Sequence, residues 1–153
     1  MRRKKPAGNG ASDHVLRLTL PPDARHVPTI RRELERFALG HSVAKGDLQT
    51  LLLAVGEALA NAVEHSDATH DIELQCRIDE RKIIATIIDS GRGVERSKSD
   101  RILPLPEPLS ERGRGIPIMQ RCTDMFSIRR LPGGGTGVVL GLLRRLERNH
   151  LAS

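Results

Sequence analysis

A chain of 153 residues is the length of one domain with a sizeable core, and with two Phe and neither Tyr nor Trp that core must be built from Ile, Leu, Val and Ala. The net charge of +6 sits at the ends. Arg2, Arg3, Lys4 and Lys5 supply four positives, Arg144, Arg145 and Arg148 less Glu147 supply two, and residues 11–143 balance. Two solvated tails are therefore favoured over a nucleic-acid face, and the chain also lacks stacking aromatics and any base-reading motif.

Cys76 and Cys122 show no metal-ligand spacing and fit a reduced cytoplasm better than a disulfide framework, and the six His are scattered. No apolar run reaches membrane length, and Met1 to Lys5 leads into Gly and Asn rather than an apolar signal region. A cytoplasmic protein is expected, without membrane contact.

Residues 1–12, charged and then rich in Gly, Pro and Asn, are expected to be a disordered basic tail, with the domain at 13–145 and a second tail at 146–153. His14 to Leu20 alternates like an edge strand and is stopped by Pro21 and Pro22. Asp23 can cap the next helix, whose stripe is Val27, Ile30, Leu34, Phe37 and Ala38, with Pro28 in its first turn and Gly40 as C-cap. A central helix starts at Gly46-Asp47, with Asp47 as N-cap. Leu48, Leu52, Val55, Leu59 and Ala62 form its apolar stripe. At ~100° per residue Glu57 falls roughly opposite that stripe, with Asn61 and then His65 about 40° further on at each turn. Such a polar row is most simply a solvated helix face, yet this helix is otherwise rich in Ala and Leu.

Ile72 to Ile78 alternates as a strand with one wet face, and Asp79-Glu80-Arg81 turns it. Ile83 to Ile88 is apolar on both faces except Thr86, which predicts a central strand ending at Asp89. Ser90 to Arg112 has little periodicity and three prolines, the composition of a long loop over a site. Ile116 to Cys122 reads as a short helix. Met125 to Arg130 and Gly137 to Leu143 read as two strands joined by the glycine-rich turn Leu131 to Thr136. Runs of strands and helices in this order predict an α/β two-layer sandwich, a mixed β-sheet with helices on one face.

Four short motifs line up in order: Glu57-xxx-Asn61, Asp89-x-Gly91-x-Gly93, Gly113-x-Gly115 and Gly135-Thr136. Each alone is weak, since a glycine pair is an ordinary turn. Their order and their placement on helix, strand end, loop end and hairpin are far more specific. Together they resemble the GHKL, or Bergerat-type, ATP-binding domain, and most of all its anti-sigma-factor serine/threonine kinase branch, over roughly Val15 to Leu143. No Walker-type GxxxxGK is present.

The resemblance implies ATP and Mg²⁺ as cofactors. It makes Asn61 the metal ligand, through a carboxamide oxygen of the kind Mg²⁺ accepts beside phosphate oxygens and water. It makes Glu57 the catalytic base. Asp89 is implied to accept a hydrogen bond from the adenine amino group, and Gly91 and Gly93 to let backbone approach the base. Gly113, Arg114 and Gly115 are implied to close over the phosphates, and Thr136 to line the adenine site. His65 matches a position often seen in the branch, with a packing role as open as a phosphate-side one.

The leading function is then an ATP-dependent serine/threonine protein kinase that acts as an anti-sigma factor in a partner-switching system. Its implied partners are a sigma factor and a STAS-type antagonist that it phosphorylates. The alternative is an ATP-responsive module that binds a regulator with negligible phosphotransfer; both need the same site. A histidine-kinase catalytic fragment is disfavoured because Met1 to Ser12 is too short for a dimerisation helix pair. Family members are often dimers, and the residues leave the oligomer open.

Overall fold

The computed structural model describes residues 2–4, 14–67, 69–90 and 115–145. The elements in chain order are β1 (Arg2–Lys4), β2 (His14–Leu20), a 3₁₀ turn (Ala24–His26), α1 (Val27–Gly40), α2 (Lys45–His65), β3 (Ile72–Ile78), β4 (Lys82–Asp89), α3 (Gly115–Cys122), β5 (Met125–Arg130) and β6 (Thr136–Leu143). The strands form one sheet in the order β1-β2-β3-β4-β6-β5. Helices cover one of its faces, which makes the expected two-layer α/β sandwich. Among the described residues no helix is long and apolar enough to cross a membrane.

Every strand pair is antiparallel, so the sheet is not mixed as expected. Tight turns join β3 to β4 and β5 to β6, and the two-helix excursion α1–α2 returns the chain antiparallel to β2. The second correction lies at the N-terminus. Arg2–Lys4, expected within a disordered tail, pairs with Arg17, Leu18 and Thr19, so β2 is the second strand and not the edge.

Period-two burial sets which face packs. Leu16, Leu18 and Leu20 of β2, Ile72, Leu74, Cys76 and Ile78 of β3, and Ile83, Ala85 and Ile87 of β4 point under the helices. Ile84, Thr86 and Ile88 are half-buried on the other face, which is why β4 reads as apolar on both sides and sits centrally. The β3–β4 turn is held by the Asp79 carboxylate, which accepts the amides of Arg81 at 2.7 Å and Lys82 at 2.8 Å. Those two hydrogen bonds, first Arg81 and then Lys82, hold its pKa below the usual carboxylate value.

Asp23 caps as expected, accepting the Arg25 amide at 2.9 Å, and Pro28 lies in the first turn of α1. Gly40 is the last helical residue of α1 rather than its cap; the left-handed residue is Ser42, at φ 58°. The α2 stripe also shifts. Leu51, Ala54 and Ala58 join Leu48, Val55, Leu59 and Ala62 in the core, while Leu52 is only half-buried. Small side chains at 54 and 58 let α2 lie close on the sheet, where it packs on β4 and β6. Its start moves too: α2 begins at Lys45 behind Ala44, so Asp47 is not the N-cap. Asp47 is instead 6% exposed and uses its carboxylate to accept the Arg145 amide at 2.8 Å, which ties the end of β6 to the first turn of α2.

Candidate functional site

The site is built where β4 ends. Strand alternation carries the helix-covered face of β4 from Ile83 through Ile87 to Asp89, whose carboxylate is thereby pulled under cover to 5% exposure. An acidic side chain at the end of a core-facing row is costly to bury without partners, and Asp89 has an interaction in this structure. Its cross-strand neighbour is Thr136, the first residue of β6. Alternation along β6 places Thr136 on the same face as Val138, Leu140 and Leu142. Asp89 and Thr136 therefore stand side by side at the sheet end.

The hairpin that delivers Thr136 needs glycine. Gly134 and Gly135 have φ of 97° and 89°, a region that side chains rarely adopt. Gly135 also lies directly against the Asp89 backbone, so any side chain there would collide with it. The sequence motif included Gly135; its role in seating Asp89 had not been assigned.

The helix packed on β4 and β6 is α2. Glu57 and Asn61 are both half-buried on it, one turn apart. Glu57 is not opposite the core as the helical wheel predicted. The solvated ridge of α2 runs through Leu53, Ala60 and Glu64, because Leu51, Ala54 and Ala58 widen the buried stripe, and Glu57 stands on its shoulder. His65, at the end of α2, is exposed. Gly115 is the first residue of α3, and that helix seats Ile116 and Met119 in the core and packs against α2. The connection from α3 to β5 is tied to β6 by Asp124, whose amide donates to the Gly141 carbonyl at 2.8 Å and whose carboxylate accepts the Leu143 amide at 2.7 Å. Gly91, Gly93, Gly113 and Arg114 lie outside the described residues.

One residue of this region was not anticipated. Arg130, the last residue of β5, faces Thr136 across the strand pair. Its Nε and Nη1 are buried without a hydrogen-bond partner among the described residues. Alternation from Phe126 through Ile128 carries Arg130 onto the packed face, so the sequence held the signal in a strand that had been assigned without its facing.

As to donor chemistry, the described residues hold no group of three or more His, Cys, Asp or Glu able to hold a metal ion by themselves. The Asn61 carboxamide oxygen is a donor of the kind Mg²⁺ accepts beside water and other oxygens, and the buried Asp89 carboxylate, an acceptor only, suits a ligand group that donates.

A family model described as the histidine kinase-like ATPase domain matches residues 20–142. The chain is 24% identical over 150 residues to the serine-protein kinase RsbW of Bacillus licheniformis, a span of 92% of this chain and 91% of that protein. It also superposes, with a TM-score of 0.62 and 22% identity, on a crystal structure of the RsbU and RsbW domains of Rv1364c from Mycobacterium tuberculosis. That match takes in 86% of this chain and 34% of the other, and at such identity it speaks for the fold.

Proposed function

The chain belongs to the histidine kinase-like ATPase family, and from that premise we propose that it is an ATP-dependent serine/threonine protein kinase working as an anti-sigma factor. The observation that carries the nucleotide site is the buried Asp89 beside Thr136, with Gly135 packed against its backbone. The kinase reading draws support from the likeness to a serine-protein kinase along nearly the whole chain.

In this proposal each side chain has one task. The Asp89 carboxylate, an acceptor only, takes a hydrogen bond from the amino group of adenine, and the Thr136 hydroxyl lies beside the same base. The Asn61 carboxamide oxygen would hold Mg²⁺, which would supply charge neutralisation at the phosphates. Glu57, one turn earlier, would take the proton of the attacking Ser or Thr hydroxyl as that oxygen bonds to the γ-phosphorus, the bond to the β,γ-bridging oxygen breaks and ADP leaves. Gly91 and Gly93 are assigned to backbone approach to the base, and Gly113, Arg114 and Gly115 to the phosphates, whose anionic oxygens suit amides at a helix N-terminus. The acceptor protein is a STAS-type antagonist, the alternate partner is a sigma factor, and the setting is the cytoplasm.

The test is incubation with γ-labelled ATP, Mg²⁺ and a STAS-domain antagonist. The expected result is label on an antagonist Ser or Thr. ATP-dependent gripping of a sigma factor without any label would favour the module that switches partners without phosphotransfer.

A further inference from the structure

The sheet ends in a row of three side chains on its helix-covered face. Asp89 pairs with Thr136, and Thr136 pairs in turn with Arg130. Phe126 and Ile128, which precede Arg130 on that face of β5, pack on the core. The third member breaks the apolar pattern with a permanently charged guanidinium. Two of its nitrogens, Nε and Nη1, are buried with no hydrogen-bond partner among the described residues. Buried donors are nearly always paired, and an unpaired one on a charged group is especially costly. A strand that only had to close the sheet would carry an apolar side chain here.

On the adenine-nucleotide reading above, we propose that Arg130 is a base-reading residue, its guanidinium donating to a ring nitrogen of the base whose amino group Asp89 holds. Donor and acceptor chemistry makes the assignment. The ring nitrogens N1, N3 and N7 of adenine accept and its amino group donates. A carboxylate therefore reads the amino group, and a group that can only donate reads a ring nitrogen. The spacing agrees. Two strand separations put the Asp89 and Arg130 backbones about 9–10 Å apart. A base lying over Thr136 occupies that gap, and the long arginine side chain reaches it from the edge strand. The row then offers an acceptor, a hydroxyl and a forked donor in line, a pattern that reads one edge of a purine.

The test is calorimetric titration of ATP and of its 1-deaza, 3-deaza and 7-deaza analogues into wild type and Arg130→Met, with urea unfolding of both proteins. The proposal expects ATP to bind Arg130→Met about tenfold or more weakly. It expects one deaza analogue to bind wild type with a similar loss, and that loss to vanish in the variant, which identifies the nitrogen. Without nucleotide the variant should be at least as stable as wild type, since an orphan charge has been removed. If Arg130→Met does not fold, Arg130→Gln carries the same comparison. ATP binding equally tight in wild type and variant, or analogue losses that persist unchanged in the variant, would overturn the proposal. Absence of ATP binding by wild type would instead overturn the nucleotide reading itself, and this proposal with it.

Discussion

Gly135 rests so close to Asp89 that a Cβ at position 135 would run into the Asp89 carbonyl oxygen and stand 2.8 Å from the Ser90 Cα. The obstacle is backbone on both sides, so no side chain can swing away to make room. The tip of the β5–β6 hairpin thus fixes the height of the buried carboxylate from below.

Gly135→Ala should accordingly disturb both stability and site. The positive φ alone costs on the order of 1 kcal/mol or more for a residue with a side chain, and the collision adds to it. Gly133→Ala, two residues earlier with open space around it, is the control and should stay within about 0.5 kcal/mol. Urea unfolding of the two variants checks this. Equal stabilities would mean the hairpin is free to shift away from Asp89.

Asp47→Ala should cost about 1–3 kcal/mol, because it strips the Arg145 amide of its acceptor at a nearly closed position. The Arg145 side chain contributes little, since it is exposed and 4.0 Å away. Asp47→Asn keeps an acceptor oxygen and should lose less. Matching losses for Ala and Asn in urea titrations would assign the effect to charge rather than to the amide contact.

Burial pushes the Cys76 thiol up to about 12 from an ordinary value of 9.0. The folded state thus favours the neutral thiol. The stabilisation is fully present below about pH 9 and is lost as pH rises from about 9 to about 12, where the unfolded chain ionises first. Wild type should lose stability across that window more steeply than Cys76→Ala, although the variant starts lower because it leaves a cavity. Parallel slopes for the two proteins would remove Cys76 as the cause. Native Cys76 should also resist alkylation until the domain unfolds.

If Asn61 is the Mg²⁺ ligand proposed above, Asn61→Ala should weaken nucleotide binding in Mg²⁺ more than in EDTA, because the metal contact is lost and the base contacts are kept. Binding that responds to EDTA as strongly as in wild type would take Asn61 away from the metal. As an ordinary helix-surface residue it would change stability by no more than about 0.5 kcal/mol and leave nucleotide affinity alone.

Much of this architecture is legible in the residues, and the failures have physical causes. The alternation of β3 and the two-faced apolar run of β4 place those strands and the Asp89 terminus within a residue, because a period of two has few competing explanations. Strand direction is not written in periodicity, so the mixed sheet became an antiparallel one. The N-cap at Asp47 failed through tertiary override: a carboxylate suited to capping α2 was taken by the Arg145 amide, which comes from the far end of the chain. The helical wheel misplaced Glu57 because its stripe omitted Leu51, Ala54 and Ala58, which are core positions and widen the buried face toward Glu57. Arg2–Lys4 joins the sheet although its composition is that of a solvated tail, since backbone pairing with β2 asks nothing of side chains. Arg130 passed unnoticed because a basic pair at a strand end usually faces solvent.

The most direct test of the proposed kinase activity is single-turnover transfer of the γ-phosphate to a STAS antagonist by Glu57→Gln, measured beside the ATP affinity of the same variant. Gln keeps the size and the hydrogen bonding but not the basicity, and base catalysis contributes roughly 10²–10⁴-fold. With Glu57 as the base, ATP affinity should be unchanged and transfer slowed at least about a hundredfold. Transfer at the wild-type rate would contradict that role.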